Sequence, residues 1–256
     1  MHHSKSFLAL GIALAFPLFA QPPGPRRTGP PPTPKAAAPI DLTGYWVSLV
    51  TEDWRYRMVT PAPGDFQGVP MTPAAIKLAE TWDPAKDEAA GEQCKSFGAP
   101  AILRVPEHLH ITWVDDNTLR METDAGKQTR FFVFGDRKSS GRTEDVVWSL
   151  QGDSVAQWEM QREGGRPVGG SLKVTTTHLS PGYLRKNGVP YSMDANLVEY
   201  YDMVHEYDGD KSGELMVVTI VVTDPMYLRE PFIISSQFKK LPDATGWKPS
   251  DCSSRW

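Results

Sequence analysis

The sequence predicts an all-β domain, a barrel or a curled antiparallel sandwich carrying one or two short helices. Three observations predict it. Residues 108–134 alternate apolar and polar side chains with a period of two around short turn sequences, the pattern of half-buried strands joined as hairpins. Segments rich in β-branched and aromatic residues follow at 146–150, 154–160, 171–178, 195–207, 214–223 and 232–240. Together they give about nine to eleven strands, a number that suits closure or curling. A helix start combined with an apolar side occurs clearly at 74–82 alone, so helices have little room.

In chain order, Lys5 precedes an apolar run from Phe7 to Phe19, and Ala20 precedes Gln21. Residues 1–20 therefore read as a secretory signal peptide too short to span a bilayer, with Leu18 a departure from the usual cleavage pattern. Residues 21–39 include Pro30-Pro31-Pro32 with Arg26 and Arg27, and read as an extended proline-rich linker. Residues 40–256 then form one domain, expected to be periplasmic or secreted. A net charge of -4 and the lack of a basic run argue against nucleic acid or an anionic membrane as partner, and no later segment is long enough to span a membrane. The expected partner is a small molecule, and the oligomeric state is left open. The two cysteines, Cys94 and Cys252, read as one disulfide fastening the C-terminal tail to the segment ahead of the hairpin.

Residues 41–46, ending in Gly44-Tyr45-Trp46, open the domain and lead into a short strand at 47–50. Residues 51–58 also read as a strand, with Asp53, Arg55 and Arg57 on one face and Glu52, Trp54, Tyr56 and Met58 on the other. Arg55 and Arg57 would then form either a clamp for an anion or carboxylate, or cross-strand ion pairs. Thr72-Pro73 supplies an N-cap and first-turn proline for the helix at 74–82. Residues 83–93 read as a loop or second short helix without chemistry of its own. Residues 135–144 and 181–193 read as loops, the latter either a plain surface loop or a lid, and Asp208-Gly209-Asp210 as a tight turn.

In the hairpin, a three-residue loop at Asp115-Asp116-Asn117 places His110 opposite Glu122, Thr112 opposite Arg120 and His108 opposite Asp124. Leu109, Ile111 and Trp113 then share the other face with Leu119, Met121 and Thr123. A turn at 124–126 leads to a third strand that adds Gln128 and Arg130 to the ionisable face. Metal-free acid-base chemistry follows from this set. His110 transfers the proton, Glu122 or Asp124 orients it, and Arg120, Arg55 or Arg130 stabilises an oxyanion. Arg55, Arg57, Arg130 and Gln128 with Tyr45, Trp54, Tyr56, Tyr200 and Tyr201 would bind an oxygenated, aromatic substrate for a lyase, isomerase, hydratase or hydrolase reaction without a cofactor. An alternative is a divalent metal such as zinc on His108-x-His110, with Glu122, Asp124 or His205 as third ligand. Another is a non-catalytic carrier of a small hydrophobic ligand. Phosphate-binding glycine loops, a serine nucleophile elbow and a dinucleotide fingerprint do not occur, which argues against nucleotide-dependent chemistry and the common serine hydrolases.

Gly44-Tyr45-Trp46 resembles the G-x-W that opens lipocalin-like, or calycin, barrels, in which the Trp closes one end, although the spacing of later lipocalin motifs is not reproduced. More of the chain resembles a large family of secreted bacterial proteins with no settled activity. That likeness rests on Gly44-Tyr45-Trp46, residues 52–58, Cys94 with Gly98 and Pro100, and residues 109–113. It continues through Thr123-Asp124-Ala125-Gly126 with Gln128-Thr129-Arg130, then Gly182-Tyr183-Leu184-Arg185 and residues 224–232. It implies export and an all-β fold, and carries no mechanism.

Overall fold

The computed structural model describes residues 29–135, 147–204 and 214–255. The expected signal peptide at 1–20, the start of the expected linker, most of the expected loop at 135–144, His205 and the expected turn at Asp208–Asp210 lie outside the described residues. Among the described residues eleven strands form: β1 (Gly44–Leu49), β2 (His108–Asp115), β3 (Thr118–Thr123), β4 (Thr129–Phe134), β5 (Asp153–Glu163), β6 (Arg166–Thr177), β7 (Gly182–Arg185), β8 (Val189–Tyr191), β9 (Asn196–Val204), β10 (Leu215–Thr223) and β11 (Phe232–Leu241). Nine of them close into a barrel in the order β1-β11-β10-β9-β6-β5-β4-β3-β2, and β7 and β8 pair as a separate hairpin. The fold is thus an all-β barrel. It differs from an eight-stranded up-and-down lipocalin barrel in having nine strands and one parallel joint, between β4 and β5.

Alternation decides which side chains fill the barrel. Trp46, Leu109, Ile111, Leu119, Met121, Phe132, Leu172, Val174, Leu197, Met216, Val218 and Phe238 are all fully buried, and each stands opposite another inward residue in the ladders. Trp46 donates its indole Nε1–H to the Leu42 carbonyl at 3.0 Å, which satisfies its one polar group inside the core. The β2–β3 register is the expected one from Leu109↔Thr123 through Trp113↔Leu119. At the turn a bulge pairs Thr118 with Asp115 instead of Val114.

Four short α-helices, α1 (Trp54–Arg57), α2 (Pro73–Ala79), α3 (Pro84–Ala89) and α4 (Ala99–Ile102), and a 3₁₀ turn at Lys95–Phe97 lie between β1 and β2. The α2 cap forms as its sequence demands, Thr72 Oγ1 accepting from the Ala75 amide. Residues 51–58 are not a strand. They form α1, entered through Asp53 at φ 51°. Residues 181–193 are not a plain loop, because β7 and β8 are almost entirely buried. Residues 147–150 make only an isolated bridge, Ser149↔Leu179. The end of the proline-rich stretch touches the barrel: Trp158 Nε1 donates to the Pro34 carbonyl at 2.8 Å and the Lys35 amide to the Asp116 carbonyl.

After β11 the tail returns across the β3–β4 turn, where Ala125 and Ser250 form a bridge. The Ser250 amide donates to the Asp124 carbonyl at 2.8 Å and Lys248 N–H to Asp124 Oδ2 at 3.3 Å. The expected disulfide joins Cys94 to Cys252, 158 residues apart. Cross-linking so distant a pair restricts the unfolded chain strongly. Replacing both cysteines by serine is expected to lower the unfolding free energy by roughly 2 to 5 kcal/mol, read from urea unfolding. An unchanged midpoint would show that the tail is held without the bond.

Candidate functional site

The hairpin places its ionisable residues on the outside of the barrel, because Leu109, Ile111 and Met121 take the inside. His110 Nδ1 faces Glu122 Oε2 at 3.3 Å, and Arg120 Nη2 reaches the same oxygen at 3.2 Å. The His110 ring stacks on Tyr45 with centroids 4.1 Å apart, and Trp247 of the tail meets both rings edge-on. Two residues back on the same face, His108 Nδ1 lies 2.8 Å from Asp124 Oδ2, and Asp124 Oδ1 accepts from the His108 amide at 2.7 Å. With the tail amide of Lys248 also on it, Asp124 is a structural hub under the tail. His110, Glu122 and Arg120 form a half-buried outer cluster. Gln128 is tied into the tail region instead: it donates to the Gly126 carbonyl and accepts from Gln151 Nε2.

Arg130 does not join that cluster. It pairs with Met121 in the ladder, so its side chain enters the barrel. There it makes a two-pronged ion pair with Glu199, Nη1 to Oε1 at 2.8 Å and Nη2 to Oε2 at 2.6 Å, and donates to Thr176 Oγ1 at 3.1 Å. Tyr201, also fully buried, donates its hydroxyl to Glu199 Oε1 at 3.2 Å. Burial opposes the charge on Arg130, yet the adjoining Glu199 holds its pKa above the ordinary value. Glu107, just before β2, is buried within the fields of Arg57, Arg130 and Asp124, and neither of its carboxyl oxygens has a hydrogen-bond partner. Burial first, and then Asp124, push its pKa well up.

The proposed arginine clamp does not assemble, because a helix sends residues two apart to different sides. Arg55 is exposed and pairs with Asp65 at 2.5 Å. Arg57 is buried and donates to Glu52, to Ser48 Oγ at 2.9 Å and to the Arg104 carbonyl at 2.9 Å. Trp54 is 65% exposed and walls nothing. Tyr56 donates to Gln67 Oε1 at 3.1 Å. Tyr200 packs on the outer face near the Lys173 ammonium.

A cleft of about 270 Å³ lies elsewhere, between α2 and α3 on one side and β7 and β8 on the other. Trp82, Tyr183, Tyr191 and Tyr227 supply its aromatic surfaces, and Asp83, Lys86, Asp87 and Lys95 its charges. Tyr183 donates to Asp87 Oδ1 at 3.1 Å, and the Lys95 ammonium lies 3.7 Å from the same oxygen. Asp87 Oδ2 is buried with no hydrogen-bond partner. Burial and then Asp87 raise the Tyr183 pKa, so its hydroxyl stays a donor at neutral pH. Gly188, at φ 80°, packs against Trp82, where a Cβ would fall 2.3 Å from the ring's own Cβ. The sequence reading missed these residues. The available signals were the aromatic and acidic residues of 82–87 and the Gly-Tyr-Leu-Arg of β7.

Among the described residues no three histidine, cysteine, aspartate or glutamate side chains converge as a metal-binding set. No helix of the described residues is long and apolar enough to cross a membrane. No protein-family model, curated protein or solved structure matches the chain.

Removing Arg130 alone strands the Glu199 carboxylate inside the barrel. Arg130→Met is expected to cost about 3 to 5 kcal/mol in urea unfolding, and Arg130→Met with Glu199→Leu to recover most of the loss. Equal losses in both proteins would mean that the strands need the arginine's shape and not its charge balance. Glu107 carries the opposite sign of effect. Its folded pKa lies above its unfolded one, so its contribution is fully present below the unfolded value and is lost as pH rises through the folded value. Glu107→Gln should therefore be neutral or stabilising at pH 7 and flatten that decline. A wild-type and variant pair with parallel stability–pH curves would contradict it.

Proposed function

We propose that the protein is an exported small-molecule-binding protein whose ligand occupies the cleft between α2–α3 and β7–β8. The observation that carries the reading is Asp87, which lines this aromatic-walled space and has one carboxylate oxygen, Oδ2, buried without a hydrogen-bond partner. Small-ligand sites combine apolar walls with a few well-placed polar groups, and this cleft has that composition. The ligand class it favours is a compact, ring-bearing molecule with a hydroxyl or amine that donates to Asp87. A ligand within the barrel is disfavoured, because the Arg130–Glu199 pair and large apolar side chains occupy it. The Cys94–Cys252 disulfide supports an oxidising compartment, in line with the leader-like start of the chain.

A second reading keeps acid-base chemistry at the hairpin. Its supporting observation is the His110–Glu122 contact through Nδ1, which leaves Nε2 for proton transfer, with Arg120 alongside. This pair sits on the outer wall against Tyr45 and Trp247.

Ligand-observed NMR with a panel of small phenols and aromatic amines separates the two readings. Under the first, Trp82→Ala abolishes binding, Asp87→Asn weakens it by about tenfold or more, and His110→Ala leaves it unchanged. Binding that survives Trp82→Ala and disappears in His110→Ala would move the site to the hairpin.

A further inference from the structure

A smaller space opens beside the cleft, enclosed by Tyr56 of α1, Ser96, Arg104, and Leu184, Arg185 and Lys186 at the end of β7. Its volume is about 20 Å³, enough for one particle of the size of a water molecule and too little for a tetrahedral oxyanion or an organic carboxylate. Two of its walls are guanidinium groups taken out of water: Arg104 is 5% exposed and Arg185 4%. Each leaves a buried nitrogen without a hydrogen-bond partner, Nη2 in Arg104 and Nε in Arg185. Arg104 Nη1 donates to Asp53 Oδ2 at 3.2 Å, and Arg185 Nη1 donates to the Gln67 carbonyl at 2.7 Å. The Arg185 guanidinium lies over the Tyr56 ring at 4.2 Å, and both arginines come within 6.0 Å of the Phe232 centroid.

Arg185 has no carboxylate within ion-pairing distance among the described residues, while Arg104 shares a half-exposed one. Burial and then the charge of Arg104 lower the Arg185 pKa to about 10. Two guanidinium groups, with the Lys186 side chain beside them, thus line one space, and of the two arginines only Arg104 is bonded to a carboxylate, an arrangement that desolvation penalises. A water in the space would satisfy the two idle N–H groups and leave the like charges uncompensated. A monatomic anion does both.

We propose that this space binds a single halide-class anion, chloride in physiological solution, held by Arg104 Nη2 and Arg185 Nε. The bound ion pins the end of β7 to the segment after α4. Because Tyr183 of the same strand walls the cleft, the ion acts as a fixed footing beneath it. The assignment is independent of what the cleft binds.

Thermal unfolding of the intact purified protein tests it, in sodium gluconate, chloride and bromide at matched ionic strength. Chloride and bromide should raise Tm saturably over gluconate, by roughly 3 to 5 °C at about ten times the dissociation constant. In Arg185→Gln that halide-specific rise should vanish. Equal Tm values in gluconate and chloride, or an undiminished rise in Arg185→Gln, would overturn the proposal. If Arg185→Gln does not fold, bromide-soaked wild-type crystals decide: an anomalous peak between Arg104 and Arg185 supports it, and its absence there refutes it.

Discussion

The Arg130–Glu199 pair is the constraint around which the barrel is arranged. Both side chains are out of water, so each requires the other, and their two parallel hydrogen bonds fix strand β4 against strand β9 across the interior. Thr176 on β6 accepts from the same guanidinium and bonds Ser154 on β5 at 2.7 Å. One ionic contact therefore spans β4, β5, β6 and β9, including the single parallel joint of the barrel. A parallel joint lacks the local turn that aligns antiparallel neighbours. Cross-barrel hydrogen bonding supplies that alignment here.

The same contact decides what kind of barrel this is. A carrier of the lipocalin type keeps its interior open, whereas here ion pair, tyrosine and Trp46 fill it. Concave space lies instead on the flank, where short helices and the β7–β8 hairpin lean together. The insertions between barrel strands thus carry the concave surface, and the barrel serves as their rigid support.

What the sequence disclosed follows from how local each pattern is. The β2–β3 pairing was legible because six alternating residues on each side of a short turn admit only one arrangement that segregates apolar from charged groups. Glu122 opposite His110 followed from it. Arg130 was misplaced by a single residue of turn: Lys127, at φ 51°, belongs to the turn with Gly126, so Glu122 meets Thr129 instead of Gln128. That slip sends Arg130 to the opposite face. Residues 51–58 alternate too, but over too short a span to distinguish a strand from the one helical turn they form. The cleft was not legible, because Trp82, Asp87, Tyr183 and Tyr227 are brought together only by tertiary packing. The disulfide was legible from two cysteines and a leader-like start.

The tail and the last strand also impose an order on folding. β1 has β2 on one side and β11 on the other, so the first strand stays half-paired until the last has been synthesised. The turn region around Asp124 is covered, and Cys94 meets its partner, only later still. Until β11 is made, the emerging chain is an open, edge-bearing sheet, a state prone to association with other chains. Formation of the Cys94–Cys252 bond thus marks, in a single chemical event, that every strand of the barrel has been made and the tail has come to rest over it.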